Sequence, residues 1–397
     1  MKSKLLILIV FVLIGTETFS QELGPQQSNP ITTAVPFLLI APDARGGGLG
    51  DVGVSTTPDA YSMYWNPAKY AFIDKDFGFG IGYVRWLPGL VNDIGLASLA
   101  GFKKFGDKQA IAMSLRFFSM GEVTFTNDIG QKLGTFKPNE WTIDATYARK
   151  FSRIISGAVA LRFIYSNLIP VNYTANEVRP GISVAADIAI FIHKELEIKG
   201  LEGAWFDFGV NISNIGAKMS YSSSSILRDF IPTNLRLGPS FTIDIDTYNR
   251  LTLSLDLTKL LVPTPPIYGK DSAGNPDKNV ILAGKDPDVS VPTGMIQSFY
   301  DAPWGFKEEM DEIIVSTGLE YWYNKLFSIR AGYFYESKYK GNRQFFTVGA
   351  GLRYNIFGLD FSYLIPVKSN NPLQNTMQFT LLFNFDKISK KEKQGSN

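Results

Sequence analysis

Few residues in this sequence have the types and spacing that catalysis, nucleotide binding or metal binding requires. Gly48, Gly50 and Gly53 follow the order G-x-G-x-x-G, which binds a dinucleotide pyrophosphate when a helix begins directly after the glycines. Residues 54–58 read Val-Ser-Thr-Thr-Pro, and β-branched residues followed by proline disfavour a helix. The glycines therefore predict a tight turn in preference to a nucleotide site.

His193 is the only histidine in the chain. Hydrolysis by a serine–histidine pair would need a serine and an acid beside it. A metal site built from imidazoles would need a second histidine. Because the residue lies close to the predicted end of a strand, we expect an ordinary histidine at a surface turn.

Acidic residues are concentrated late in the chain, where their oxygen atoms could hold a calcium ion. They are Asp286, Asp288, Asp301, Glu308, Glu309, Asp311 and Glu312. Their spacing matches no known calcium loop, and the favoured interpretation is a solvated face of a loop. The sequence thus predicts no catalytic, cofactor-binding or metal-binding residue and no enzymatic activity.

The composition excludes several classes of protein. The chain has 39 basic and 37 acidic residues, a balance that leaves no electrostatic footprint for nucleic acid. Cysteine is absent, which excludes a disulfide framework and a thiolate metal site. Charged residues make up 19% and aromatic residues 14%, and an aromatic-rich chain with so little charge favours a membrane barrel.

The first 20 residues have the form of a signal peptide. Lys2 and Lys4 precede an unbroken apolar run over 5–14, and residues 18–20, Thr-Phe-Ser, offer a cleavage site. The run is shorter than the roughly 20 residues that a membrane helix needs, so an uncleaved anchor is the less favoured alternative. We predict that this segment is removed on export.

Apolar residues recur with a period of two along most of the remaining chain, which is the pattern of strands with two different faces. The pattern predicts antiparallel strands near 76–86, 92–104, 108–119, 139–151, 154–166, 181–193, 203–213, 234–245, 250–261, 312–323, 326–336, 343–354, 356–365 and 375–386. Most run about 10 to 13 residues, enough for a tilted strand to cross the hydrocarbon.

The predicted connections alternate between short and long. The long ones are 120–138, 167–180, 214–233 and 262–311. Outer-membrane barrels have short periplasmic turns and long extracellular loops, whereas a soluble sandwich has no reason to sort its loops in this way. The sequence therefore predicts an all-β protein, a transmembrane antiparallel β-barrel of about fourteen strands in the outer membrane, with both termini in the periplasm.

One face of the predicted strands carries charges, which cost about 2 to 4 kcal/mol for Arg or Lys against lipid at the midplane. We expect them to point into the lumen, where their mixed signs suit a network of ion pairs. The residues are Arg116, Asp144, Arg162, Asp187, Asp207, Arg236, Asp256, Glu320, Arg330, Arg353 and Asp360.

Two segments flank the predicted barrel at 76–386. Residues 21–75 are rich in proline, glycine and apolar residues, and we predict a plug folded into the periplasmic mouth. Residues 387–397 are polar and basic, which predicts a solvated C-terminal tail.

The connection 262–311 is the most informative functional segment. Connections this long are normally functional or disordered, and this one carries a heavy apolar load for a surface loop. We predict that these residues bind a partner; a lid folded over the barrel mouth is the alternative. The residues proposed for partner binding are Tyr268, Met295, Phe299, Tyr300, Trp304 and Phe306.

The plug segment also resembles a known family. A stretch such as 59–68, placed before a barrel of about fourteen strands, resembles the FadL-type outer-membrane transporters. Together with 29–31, 37–46 and 50–53, it is most similar to the PorV family of the Bacteroidetes type IX secretion system. The residues that form the plug signature are Asp59, Trp65, Asn66, Pro67 and Ala68.

The resemblance implies a non-enzymatic shuttle surrounded by outer-membrane lipid and lipopolysaccharide. Such a barrel binds the C-terminal signal domain of secreted cargo at the translocon barrel, called SprA or Sov. It then passes the cargo to the attachment machinery that includes the sortase PorU. The alternative is a FadL-like transporter of hydrophobic small molecules, which needs an apolar pocket behind the long loops and a kinked strand. Gly78, Gly80 and Gly82 in the first strand permit such a kink.

Overall fold

The computed structural model describes residues 26–168, 178–222, 228–271 and 274–386. Fourteen strands within these ranges form one closed antiparallel barrel. Consecutive barrel strands are hydrogen-bonded neighbours, and the first strand closes the barrel by pairing with the last. The predicted fold class is confirmed.

The barrel strands match the predicted ones, and no end differs by more than three residues. They are β1 (Phe77–Arg85), β2 (Ile94–Phe105), β3 (Gln109–Met120), β6 (Asn139–Lys150), β7 (Ile155–Asn167), β8 (Gly181–Glu195), β9 (Gly203–Gly216), β10 (Asn234–Asp244), β11 (Asn249–Leu260), β14 (Ile314–Tyr323), β15 (Phe327–Tyr335), β16 (Gln344–Tyr354), β17 (Phe357–Pro366) and β18 (Met377–Phe385).

The long loops and the segment before the barrel have structure of their own. Two hairpins lie in loops, one formed by β4 (Val123–Thr126) with β5 (Lys132–Phe136) and one by β12 (Ile267–Lys270) with β13 (Pro276–Ala283). The short helices are the 3-10 helices Pro36–Leu39 and Pro67–Phe72 and the α-helices α1 (Ala44–Gly47), α2 (Ser62–Trp65), α3 (Val291–Gln297) and α4 (Phe306–Asp311). No helix in the described ranges is long and apolar enough to span a membrane.

The two faces of the barrel wall differ as the alternation predicts. On β3, Ile111, Met113, Leu115 and Phe117 point outward and are 41–60% exposed, as side chains are that meet lipid. Of the predicted lumen charges, all except Arg353 are buried. That residue is half-buried and forms an ion pair with Asp360, so the lumen placement of the charges is confirmed.

The segment before β1 runs through the lumen from one end of the barrel to the other. Near its start, Asn29 Nδ2 donates to Pro265 O and to Glu308 Oε1, both at 3.0 Å, in the longest loop. Near its end, Ala68 O accepts a hydrogen bond of 2.7 Å from Ser156 Oγ beside a short turn. The plug predicted for the short-turn mouth is present there, and it extends further than predicted, because the segment also reaches the long-loop end.

The described chain also begins at the long-loop end. Gln26 Nε2 donates to Asp311 Oδ2 at 3.0 Å, so the expectation that both termini lie at the short-turn end is wrong for the described N-terminal residues. It agrees with the other end of the chain, where Phe385 pairs with Phe77. The predicted signal peptide and basic tail, 1–20 and 387–397, lie outside the described residues.

Candidate functional site

Trp65 lies at the centre of the plug and is buried. Its Nε1 donates to Asp43 Oδ1 at 2.7 Å, and Asp43 Oδ2 accepts the Gly46 N–H at 2.8 Å. A Cβ atom at Gly46 or at Gly53 would overlap the Trp65 ring. Glycine is thus required at both positions for the plug backbone to pack on the indole.

Asn66 joins the plug to the barrel wall. Its Oδ1 accepts the Ala68 N–H at 3.0 Å and caps the helix Pro67–Phe72, in which proline occupies the first turn. Its Nδ2 donates to Val54 O at 3.1 Å within the plug and to Ile190 O at 3.0 Å on β8. The plug signature is therefore a set of contacts that shape and hold the plug.

Arg45 forms one ion pair within the plug and one buried ion pair with the barrel wall. Its Nη1 donates to Asp59 Oδ2 at 2.9 Å, and its Nη2 donates to Glu320 Oε1 at 2.8 Å on β14. Arg330 on β15 donates to Glu320 Oε2 at 2.7 Å and to Asp360 Oδ1 on β17 at 2.8 Å. We call Arg45, Asp59 and Glu320 the Arg45 clamp. It joins the plug to a row of charges that crosses several strands.

The glycines that resemble a nucleotide fingerprint form a turn against the barrel wall. Asp256 Oδ2 accepts the N–H groups of Gly53 and Val54 at 2.9 and 3.0 Å. Gly50 has a φ of +75° and lies against the Tyr333 backbone, where other residues would be strained. No helix follows Gly53, since residues 54–58 form bends and irregular structure. The prediction of a tight turn is confirmed.

His193 does not lie at a surface turn. It belongs to β8, its side chain is 35% exposed, and its Nδ1 lies 2.6 Å from Asp207 Oδ1. The imidazole centre is 5.2 Å from the Phe72 ring of the plug. The prediction of a surface turn is wrong because the partner, Asp207, comes from the neighbouring strand.

The plug lies between two cavities. The one at the long-loop end has a volume of about 630 Å³ and is lined mainly by apolar side chains, among them Phe37, Trp86 and Phe118. The one at the short-turn end has a volume of about 540 Å³ and is more polar, with Asp59 and His193 in its lining. The lumen is thus divided into an apolar outer chamber and a charged inner one.

The longest loop is anchored by buried ion pairs. Lys340 Nζ lies 2.6 Å from Glu308 Oε1 and 2.8 Å from Glu312 Oε1, and Lys259 Nζ contacts Glu312 and lies 3.1 Å from Glu309 Oε2. We call these five residues the loop base. All five are buried, so the predicted solvated acidic face is wrong for Glu308, Glu309 and Glu312, whereas Asp286 and Asp288 are exposed as predicted. Within the described ranges, no group of acidic residues and histidine could hold a metal ion.

Asp301 lies beside the loop base and is also buried. Its Oδ2 accepts the Thr264 N–H at 3.1 Å. Burial, together with the charges of Glu309 and Glu312, raises the pKa of Asp301 to about 6. The folded loop therefore prefers the protonated carboxyl. Its contribution to stability is full below the unfolded pKa of about 4 and is lost as the pH rises through 6.

We expect Asp301→Asn to remove this loss, because a neutral amide has no charge to bury. The measurement is the rate of protease cleavage within 285–311, expressed as the ratio of wild type to variant at each pH so that the pH dependence of the protease cancels. The ratio should rise between about pH 5 and pH 7. A ratio that stays constant would contradict the prediction.

The residues proposed for partner binding fall into two groups. Phe299, Tyr300 and Phe306 are 52%, 55% and 78% exposed, whereas Tyr268, Met295 and Trp304 are half-buried. The exposed group is available to a partner, while the contacts of Gln26 and Asn29 with Asp311, Pro265 and Glu308 show that other parts of the same loop pack on the plug.

The sequence-based set did not include two further exposed apolar residues. Ile296 is 65% and Met310 is 49% exposed. Met310 follows Phe306 by four residues on α4, and this spacing could have revealed it, because residues four apart share one helix face. We call Ile296, Phe299, Tyr300, Phe306 and Met310 the apolar loop patch.

A plugged barrel of fourteen strands, with an apolar outer face and a charged lumen, is an outer-membrane β-barrel. The family model of the type IX secretion system protein PorV matches residues 24–267. The chain belongs to the PorV family and is an outer-membrane component of the type IX secretion system. The resemblance seen in the plug segment is confirmed.

Similar solved structures are outer-membrane transporters. The Ralstonia pickettii toluene transporter TbuX is 11% identical, over 88% of this chain and 100% of its own, with a TM-score of 0.45. The Pseudomonas putida toluene transporter TodX is 11% identical over 90% and 98%, with a TM-score of 0.47. A Pseudomonas aeruginosa FadL homologue is 10% identical over 90% and 100%, with a TM-score of 0.43. Similarity at this level carries no argument about ligands. No curated protein sequence matches the chain significantly.

Proposed function

We propose that this barrel binds the C-terminal signal domain of secreted cargo at the translocon and carries the cargo to the attachment machinery without catalysing a reaction. The observation that carries the proposal is the apolar loop patch, in which Phe306 is 78% exposed. Exposed aromatic and aliphatic residues that are concentrated in one loop, here within 296–310, are typical of interaction surfaces.

The loop base makes this surface suitable for docking. Glu309 and Glu312 extend from α4 and its C-terminal end to the buried Lys259. The helix that presents Phe306 and Met310 is thereby fixed before a partner arrives. A preordered surface loses less conformational entropy on binding than a mobile loop does.

The partners follow from family membership and from the predicted orientation. We propose the translocon barrel SprA or Sov as the donor of cargo and the sortase PorU as a member of the acceptor machinery. A signal peptide at 1–20 would direct export of the chain toward the outer membrane and would be removed on the way. The long loops would then face the cell exterior among lipopolysaccharide, and the short turns would face the periplasm.

The test replaces Phe299 and Phe306 by serine together. We expect surface display of cargo to fall at least about tenfold, because each anchor residue in an interface contributes more than about 1 kcal/mol. The matched control is Leu90→Ser with Ile129→Ser, which are 62% and 77% exposed on two other loops at the same end of the barrel. Both variants should insert as heat-modifiable barrels. Normal display in the first variant, or equal loss in both, would refute the proposal.

A second candidate function rests on the outer chamber. Its volume of about 630 Å³ and its apolar lining would suit a hydrophobic small molecule, as in the alternative of a FadL-like transporter. The kink that this alternative expects in β1 is absent, since Phe77–Arg85 pairs with both neighbours without a register shift. Uptake of a hydrophobic compound that disappears in Phe37→Arg, with cargo display unchanged, would favour this candidate.

A further inference from the structure

The short-turn rim of the barrel has an uneven distribution of charge. The turns β2–β3 and β6–β7, with the adjoining strand ends and the neighbouring end of β8, carry exposed cations that we call the basic rim: Lys103, Lys108, Arg149, Arg153 and Lys194. The turns β8–β9 and β10–β11 instead carry mainly acidic residues: Glu195, Glu197, Glu202, Asp244 and Asp246. One sector of the rim is therefore positive.

The cations of the basic rim are not used by the protein itself. Within the described ranges none of the five forms an ion pair, whereas Lys75, Arg250 and Arg353 on the same rim pair with Asp386, Asp244 and Asp360. Cations that a fold does not pair are available to an external anion. Asp107 in the β2–β3 turn is the acidic group nearest in sequence to the rim's Lys108.

Two of these cations face outward, toward the lipid. Lys103 shares the outward face of β2 with Phe105, and its Nζ lies 5.5 Å from the Phe105 ring. Arg149 lies in the row of Phe105, two residues along β2 from Lys103, since Phe105 pairs with Gln109 and Gln109 pairs with Arg149. The short-turn ends of β2 and β6 are thus two strand spacings apart, about 10 Å.

The surroundings of these cations belong to the membrane interface. Phe105 and Phe151, which flank Lys103 and Arg149 in the chain, are 48% and 71% exposed. Exposed aromatic residues at the ends of barrel strands lie at the level of the lipid headgroups. An anion that reaches Lys103 and Arg149 from this side is a headgroup of the bilayer.

We propose that the basic rim binds the phosphate groups of anionic phospholipids, with phosphatidylglycerol as the probe that represents them. Anionic lipids attract basic residues near the membrane surface, and salt weakens this attraction. A soluble acidic protein is less favoured, because Lys103 and Arg149 face the side of the wall rather than its end. The inference is independent of cargo binding, which involves the opposite end of the barrel.

The test reconstitutes the full barrel in phosphatidylcholine bilayers that contain a trace of spin-labelled phosphatidylglycerol or spin-labelled phosphatidylcholine. Electron spin resonance gives the fraction of each label that the protein immobilises. We expect the anionic label to associate about threefold more strongly than the zwitterionic one at low salt, and the preference to fall in high salt. Lys103→Gln with Arg149→Gln should bring the two labels to near-equal association.

The matched control is Lys199→Gln with Lys325→Gln, which removes the same charge from the rest of the same rim and should retain the preference. Equal association of both labels with the unmodified barrel would overturn the proposal, as would equal loss in both double variants. Binding of a polyglutamate peptide that depends on Lys103 and Arg149, without lipid preference, would assign the rim to a protein partner instead. The single variants should show intermediate preference and keep the test valid if the double variant does not fold.

Discussion

Replacement of Arg45 by methionine is expected to release the plug from the barrel wall. The change leaves Asp59 without its cation and leaves Glu320 with Arg330 alone. Removal of one partner from a buried ion pair costs about 3 to 5 kcal/mol. We expect the plug to detach before the barrel wall opens, because the plug is held less strongly than the paired strands are. The measurements are single-channel conductance in planar bilayers and hydrogen exchange of residues 26–75, and both should increase.

Two further variants make this result specific. Lys75→Met breaks the exposed pair with Asp386 and should change neither measurement, because such pairs contribute about 0 to 1 kcal/mol. Arg45→Met combined with Glu320→Gln should bring conductance and hydrogen exchange part of the way back to their wild-type values. The second change removes a carboxylate that has lost its plug-side cation. Wild-type conductance and exchange in Arg45→Met would show that the clamp does not hold the plug.

Replacement of Lys340 by methionine is expected to loosen the longest loop. Lys340 is the buried cation of Glu308 and shares Glu312 with Lys259. Without it, the three buried carboxylates Glu308, Glu309 and Glu312 share a single buried cation, Lys259, at a cost of about 3 to 5 kcal/mol. Protease cleavage within 285–311 should accelerate, and cargo display should fall although the apolar loop patch is chemically unchanged.

The control for this prediction lies two residues away. Lys338 is exposed and its Nζ lies 4.8 Å from the Tyr339 ring, a contact of the kind that contributes about 0.5 to 1 kcal/mol. Lys338→Met should therefore leave cleavage and display unchanged. If Lys340→Met lowered display without faster cleavage, the loop base would have a role other than holding the loop in place.

The barrel wall could be predicted from the sequence because lipid constrains every outward position. On β3 the alternation of Ile111, Met113, Leu115 and Phe117 with smaller or polar residues determines which face is which, and a shift by one residue would place Arg116 against acyl chains. This constraint repeats on strand after strand. The placement of the charged residues in the lumen followed from the same argument.

The partners of those charges could not be predicted, because they depend on contacts between distant parts of the chain. Arg45 and Glu320 are 275 residues apart in sequence. The acidic run that begins at Glu308 has no local feature that reveals Lys259 or Lys340 as partners. The sequence therefore suggested that these carboxylates are exposed, although they are buried. The path of the plug was missed for the same reason, since Asn29 and Glu308 are in contact although they are 279 residues apart in sequence.

The length of the plug has a consequence for biogenesis. The barrel closes only when the last strand, β18, pairs with β1. By then the plug, which precedes β1 in the chain, has to lie in the lumen. A barrel that closed while empty would leave Glu320 without Arg45 and Asp256 without the N–H groups of Gly53 and Val54. We therefore expect closure of the barrel wall and insertion of the plug to occur in a single assembly step, which the folding machinery has to accommodate.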